Sequence, residues 1–200
     1  CTEYADRDWP RMLVGYDVSF PRGKARPGNI RLVDNQGAEQ PVQLAAIKTH
    51  GDGSIQSCRV HFYAELTAGG SYLYRLETGK PASGGKKGVI GRRRGDRLEV
   101  SSSRLAVELP APGSQEYSTP KPANQVPAPI LRFRLHDGKW VGRGSLQTER
   151  EVVAFSQQIV AEGPLFLEAA YRVEFAPQGH YTARVRVEKE LPLVHIAEEF

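Results

Sequence analysis

Apolar residues recur at every second position along most of this chain, and that spacing limits its fold more than any other feature. Met12, Val14, Tyr16, Val18 and Phe20 follow it. So do Val60 and Phe62, then Tyr72, Tyr74 and Leu76, then Leu105, Val107 and Leu109. Leu131, Phe133 and Leu135 repeat it, with Arg132 and Arg134 on the opposite face. A period of two places successive side chains on alternate faces of a strand. One face is then buried and one wet, the pattern of antiparallel sheets. The longest run is Leu165, Leu167, Ala169, Tyr171, Val173 and Phe175, answered by Tyr181, Ala183, Val185 and Val187 after Pro177-Gln178-Gly179. These two read as one long hairpin. Helical periodicity is nearly absent, and residues 149–159, the nearest to it, read as strand. The expectation is an all-β chain of antiparallel sheets with almost no helix.

The 20 glycines and 14 prolines cut the remaining stretches into turns. Residues 81–95 and 110–129 read as loops, with a short strand at Val89-Ile90 inside the first. The second holds six prolines, a density that favours polyproline-like or irregular backbone. Residues 1–11 read as a flexible N-terminal segment. Residues 12–200 read as one β-module, with a possible seam at 110–129. A chain of 200 residues can bury a core without a metal or disulfide staple. No apolar stretch is long enough for a transmembrane helix, so no membrane span is expected.

The net charge is +4, with acidic and basic residues interspersed. That pattern suits a solvated surface and argues against a nucleic-acid face. The two cysteines are Cys1 and Cys58. They could pair as a disulfide in an oxidising compartment. Cys58 shares its strand face with Val60 and Phe62, which favours a small core residue over a reactive one. Cys1 also fits the lipid-bearing first residue of a mature bacterial lipoprotein.

Several short motifs occur in order. They are Phe20-Pro21-Arg22-Gly23, Ile30-Arg31-Leu32-Val33-Asp34, Gly37, Pro41-Val42-Gln43 and Asp52-Gly53-Ser54-Ile55. Val60-His61-Phe62, Leu66-Thr67-Ala68-Gly69 and Tyr72-Leu73-Tyr74-Arg75-Leu76 follow, and Glu162-Gly163-Pro164-Leu165 precedes the long hairpin. Over residues 12–196 the chain resembles the N-terminal β-domain of exo-rhamnogalacturonan lyase-like proteins. The resemblance implies barrel-like and sandwich sheets, an exported protein (secreted, cell-surface or periplasmic), and a helical catalytic domain C-terminal to this region. It also implies a parent reaction of β-elimination in an acidic, pectin-type glycan. Relatives in that family carry a Trp before the Asp-Gly-Ser turn, where this chain has Thr49-His50-Gly51.

The residues themselves offer no catalytic motif. A lyase needs a cation to neutralise a uronate carboxylate and a base for the α-proton. The five histidines are scattered over separate strands and turns. There is no His-Glu-x-x-His, Cys-x-x-Cys or Gly-x-Ser-x-Gly. Gly142-Arg143-Gly144-Ser145 is not a phosphate loop, because no helix follows it. No cofactor is expected, and calcium has no loop signature. Lys86, Lys87, Arg92, Arg93, Arg94 and Arg97 form a basic cluster. Arginine forks suit the uronates of an acidic polysaccharide. The same composition suits a solvated hairpin. Trp140, beside the Asp137-Gly138-Lys139 turn, and Tyr117 are candidate sugar platforms, although packing on the core is an ordinary role for either ring.

The expected function is a non-catalytic N-terminal β-domain that buttresses a catalytic domain and contacts acidic glycan. The carbohydrate-binding candidates are Trp140, Tyr117, Arg92, Arg93 and Arg94. Rival readings are a stand-alone carbohydrate-binding module and a self-assembling surface or fibre protein built through open strand edges.

Overall fold

The computed structural model describes residues 6–79, 88–135 and 137–200. Strand is the dominant regular structure, 59% of residues against 2% helix, as the alternation requires, and the helical piece among the described residues is a 3-10 turn at Ala123–Gln125. They form four antiparallel sheets, and none closes into a barrel. The chain divides into two compact units, Cys1–Lys86 and Lys87–Phe200. No helix among the described residues is long and apolar enough to cross a membrane.

The first unit holds β1 (Trp9–Ser19), β2 (Ile30–Asp34), β3 (Glu39–Gln40), β4 (Gln43–Thr49), β5 (Ile55–Leu66) and β6 (Tyr74–Thr78). One sheet runs β1-β5-β4 and the other β3-β2-β6. β1 begins at Trp9, so part of the segment expected to be flexible is paired, Trp9 lying opposite Leu66. Ile30 and Leu32 from one sheet pack against Cys58, Val60, Phe62 and Ala64 from the other. Cys58 is thus a buried free thiol, its pKa raised by desolvation and by Asp17. Its proposed disulfide partner, Cys1, lies outside the described residues.

The ordered motifs meet in a clasp. The Gly23 amide donates to the Ser54 hydroxyl at 2.9 Å, and Ser54 is fully buried. That hydroxyl donates to Asp52 Oδ1 at 2.6 Å, which also accepts the Ser54 amide at 3.0 Å. Arg22 stands 3.4 Å from the other Asp52 oxygen. His50 places Nε2 3.2 Å from the Phe20 carbonyl oxygen. Gly53, at φ 77°, supplies the left-handed turn. These motif residues therefore have structural work, joining a loop to a turn 31 positions away.

The Asp52 carboxyl is pulled from 3.8 to about 2, first by the Ser54 hydroxyl, then by the Ser54 amide and Arg22. A group whose folded pKa is depressed stabilises the fold above its unfolded value and loses that contribution as pH falls through the folded one. The stability gap between the wild type and Asp52→Asn should therefore hold constant above about pH 4 and shrink between about pH 4 and 2. Urea midpoints across that range check this. A gap independent of pH would show that the carboxylate charge has no part in the clasp.

The second unit holds β7 (Ile90–Arg94), β8 (Arg97–Ser101), β9 (Ala106–Pro110), β10 (Gly113–Pro122), β11 (Arg132–Arg134) and β12 (Trp140–Val141). It continues with β13 (Glu151–Glu162), β14 (Phe166–Phe175), β15 (His180–Glu188) and β16 (Val194–Glu199). Its sheets run β12-β11-β9-β8-β7 and β10-β13-β14-β15-β16. Leu98, Val100, Val107 and Leu109 of the first pack against Leu167, Ala169, Val185 and Val187 of the second. That interdigitation makes a two-sheet sandwich. The long hairpin is β14–β15, with Phe166 paired to Glu188 and Glu174 to His180. The stretch 149–159, expected as strand, falls largely within β13, Glu151–Glu162. The stretch 110–129 lies inside this unit, and most of it departs from the irregular backbone expected. β10 pairs with β13, with a register shift between Glu116 and Lys121. It is an edge strand, where a proline's missing N–H costs no ladder bond.

Candidate functional site

The outer face of the β12-β11-β9-β8-β7 sheet carries a connected network of arginines and glutamates. Its inner face is apolar, because Leu98, Val100, Val107 and Leu109 point to the core. Alternation then turns Arg97, Glu99 and Glu108 outward. The register places Glu99 directly opposite Glu108. Like charges so paired are destabilising unless cations intervene. Here they do. Arg132, itself opposite Glu108, grips that carboxylate with both arms of its fork, Nε to Oε2 at 2.6 Å and Nη2 to Oε1 at 2.8 Å. Arg97 adds a bond of 2.9 Å to Oε2. Glu99 is held by Arg134 at 3.1 Å and Arg94 at 3.2 Å.

Both glutamates are buried beneath these guanidinium groups. The Glu108 carboxyl is held below the usual range, first by the Arg132 hydrogen bond and then by Arg97. Arg92, cross-strand from Glu99, is exposed. Five arginines thus stand around two carboxylates, and the face keeps a surplus of positive charge. Trp140 pairs with Arg134 across β11–β12. The guanidinium carbons of Arg132 and Arg134 stand 4.9 and 5.5 Å from its ring centroid.

The structure therefore brings three of the five candidates together: Trp140, Arg92 and Arg94 share this face. These arginines belong to a paired strand rather than the expected loop. Arg93 points to the opposite side of β7, because strand alternation separates it from its neighbours. Its Nε donates to the Gly95 carbonyl at 3.2 Å. Tyr117 belongs to the other sheet, on β10, where it packs against the core cluster containing Val126, Tyr171 and Tyr181. The Lys121 ammonium lies 4.8 Å from its ring. Lys86 and Lys87 of the basic cluster lie outside the described residues.

Glu99 and Glu108 organise the face, yet sequence reasoning did not select Glu108. A signal existed, since each glutamate stands between two core residues: Leu98-Glu99-Val100 and Val107-Glu108-Leu109. That pattern shows an outward carboxylate on a central strand. Adjacency of the two needs the register, which the sequence leaves open.

Arg97 also borders a cleft of about 750 Å³ at the end of the β7–β8 hairpin. Arg93 and Arg143 line it as well. Arg143 is placed by the glycines on either side of it. Gly142 turns with φ 86°, and the Gly144 amide donates to the Leu131 carbonyl at 2.9 Å.

The histidines stand apart. His50 serves the clasp, His61 is buried in β5, His180 begins β15, and His195 pairs with Glu188 at 2.9 Å. His136 lies outside the described residues. Among the described residues, no group of three or more His, Cys, Asp or Glu is gathered as a metal site. No family model and no curated protein matches the chain.

Proposed function

We propose that this chain is a non-catalytic β-module of an exported, polysaccharide-lyase-like protein, which supports a catalytic domain C-terminal to these residues and contacts acidic glycan. The observation that carries the reading is the outer sheet face. Five arginines there surround two buried glutamates next to a half-buried indole. The glutamates hold the forks of Arg94, Arg97, Arg132 and Arg134 in place, and Arg92, which pairs with neither glutamate, is left to meet a carboxylate beside them. A planar fork suits a uronate better than a flexible ammonium does. The arginines are spread over neighbouring strands of one sheet face, which suits an extended polymer. Glycan contact is favoured over self-assembly, because edge strand β7 bears Arg92, Arg93 and Arg94. Edge charges of this kind keep sheets from pairing with one another.

The test is binding of polygalacturonate and of neutral galactan, measured by calorimetry at low and high salt. Polygalacturonate should bind, neutral galactan should not, and added salt should weaken the complex. The double variant Arg92→Gln/Arg94→Gln should weaken it about tenfold, the equivalent of one good charged contact. Equal binding of the two polymers, or none of either, would overturn the reading.

A further inference from the structure

We infer that the cleft at the end of the β7–β8 hairpin is a distinct subsite for a short sugar acid, with Arg93 and Arg143 receiving its carboxylate. This rests on the glycan-contact reading and adds a second kind of recognition to it. The sheet face, with its arginines spread over several strands, suits a polymer along its length. The cleft is instead a concave volume of about 750 Å³, open to solvent on one side, in the range of small-ligand sites.

The three cations on its wall differ in what they have left to offer. Arg97 is committed to Glu108 and faces Asp96 at 3.8 Å. Arg93 spends only its Nε on the Gly95 carbonyl, which leaves its terminal nitrogens to a ligand. Arg143 has no side-chain partner among the described residues. Asp96 also lines the cleft, and its side chain is 94% exposed. It repels an anion at the Arg97 end, so a carboxylate is directed toward Arg93 and Arg143.

The rest of the lining selects for hydroxyls. Gln115, Asn124, Gln125 and Gln147 present amides, each able to donate and to accept. Gln147 is steadied by its own bond to the Ser145 hydroxyl at 2.6 Å. Phe155 and Leu131 supply an apolar patch for the C–H faces of a sugar ring. Arginine forks, side-chain amides and a ring together describe a polyhydroxylated carboxylate. A bare phosphate would accept from the amide N–H groups but leave their carbonyl oxygens and the ring unused.

The Gly142-Arg143-Gly144-Ser145 motif gains a role from this. It is a binding loop, although it is no phosphate loop. Gly144 is where the chain passes against Ile130, and that passage sets Arg143 and Ser145 at the cleft wall.

The experiment is calorimetric or NMR titration with a galacturonate trimer, a neutral galactose trimer and polygalacturonate. The proteins are the wild type, Arg143→Gln, Arg143→Lys and Arg92→Gln/Arg94→Gln. The acidic trimer is expected to bind the wild type and to lose about tenfold in Arg143→Gln, with partial recovery in Arg143→Lys. The face variant should leave trimer binding unchanged while polymer binding falls. If polymer binds and the trimer does not, the subsite is overturned and the module reading stands. If the trimer follows the face variant and ignores Arg143→Gln, the subsite is likewise overturned. Equal binding of the neutral and acidic trimers overturns it too. If neither trimer nor polymer binds, both readings fall.

Discussion

Gly144→Ala should cost more than about 4 kcal/mol, a loss confined to changes with a specific steric or polar cause. A Cβ at this position would lie 1.8 Å from the Ile130 carbonyl oxygen and 2.9 Å from its carbon. Both are backbone atoms, so no rotamer change relieves the clash. The Gly144 N–H bond to Leu131 must break, and the segment carrying Arg143 must leave Ile130. The measurement is a urea unfolding curve beside the control Gly51→Ala, where an added Cβ meets nothing within 4 Å. The control should stay within about 1 kcal/mol of the wild type. A Gly144→Ala protein as stable as the control would mean that this segment does not pass so close to Ile130.

The second large effect is expected at Glu108. Removing one partner of a buried ion network leaves the others with unmet charge, which costs about 3–5 kcal/mol when all are buried. Here the Arg132 and Arg97 side chains are 37% and 44% exposed, so water recovers part of the loss. Glu108→Ala is therefore expected to destabilise by about 2–3 kcal/mol. Glu108→Gln, which keeps the shape and one acceptor, should cost less. The cause can be isolated with Arg132→Ala. In the Glu108→Ala background this second change should cost less than it does alone. Strict additivity would show that the pair observed at 2.6 Å contributes no energy of its own.

These two sites show how far the sequence can be read. Alternation was sufficient for β14 and β15, because each side chain's face follows from its parity. It also placed Arg132 and Arg134 together correctly. It failed for β10, where prolines mask a strand that tolerates them only because it lies at a sheet edge. The basic cluster was visible as composition. Its division into Arg92 and Arg94 on one face and Arg93 on the other needed the knowledge that these residues form a strand. The clasp was legible as separate turns, while the Gly23–Ser54 bond that joins them was not. The same holds for the Glu99–Glu108 pairing and for Gly144 against Ile130. Contacts between strands depend on register and packing, and a local pattern carries neither. The candidate site was thus half visible: its cations stood out, and the carboxylates and glycines that position them did not.

The buried thiol in the first unit has a consequence of another kind. Cys58 is 4% exposed, and its surroundings disfavour the thiolate that oxidants and alkylating agents attack. While the β1-β5-β4 and β3-β2-β6 sheets stay closed, that sulfur is chemically silent. Each opening of the pair starts a brief interval in which it can react, and an alkylated sulfur does not revert. Adducts at Cys58 therefore accumulate with the total time the unit has spent open, and the side chain acts as a recording clock for its own fold.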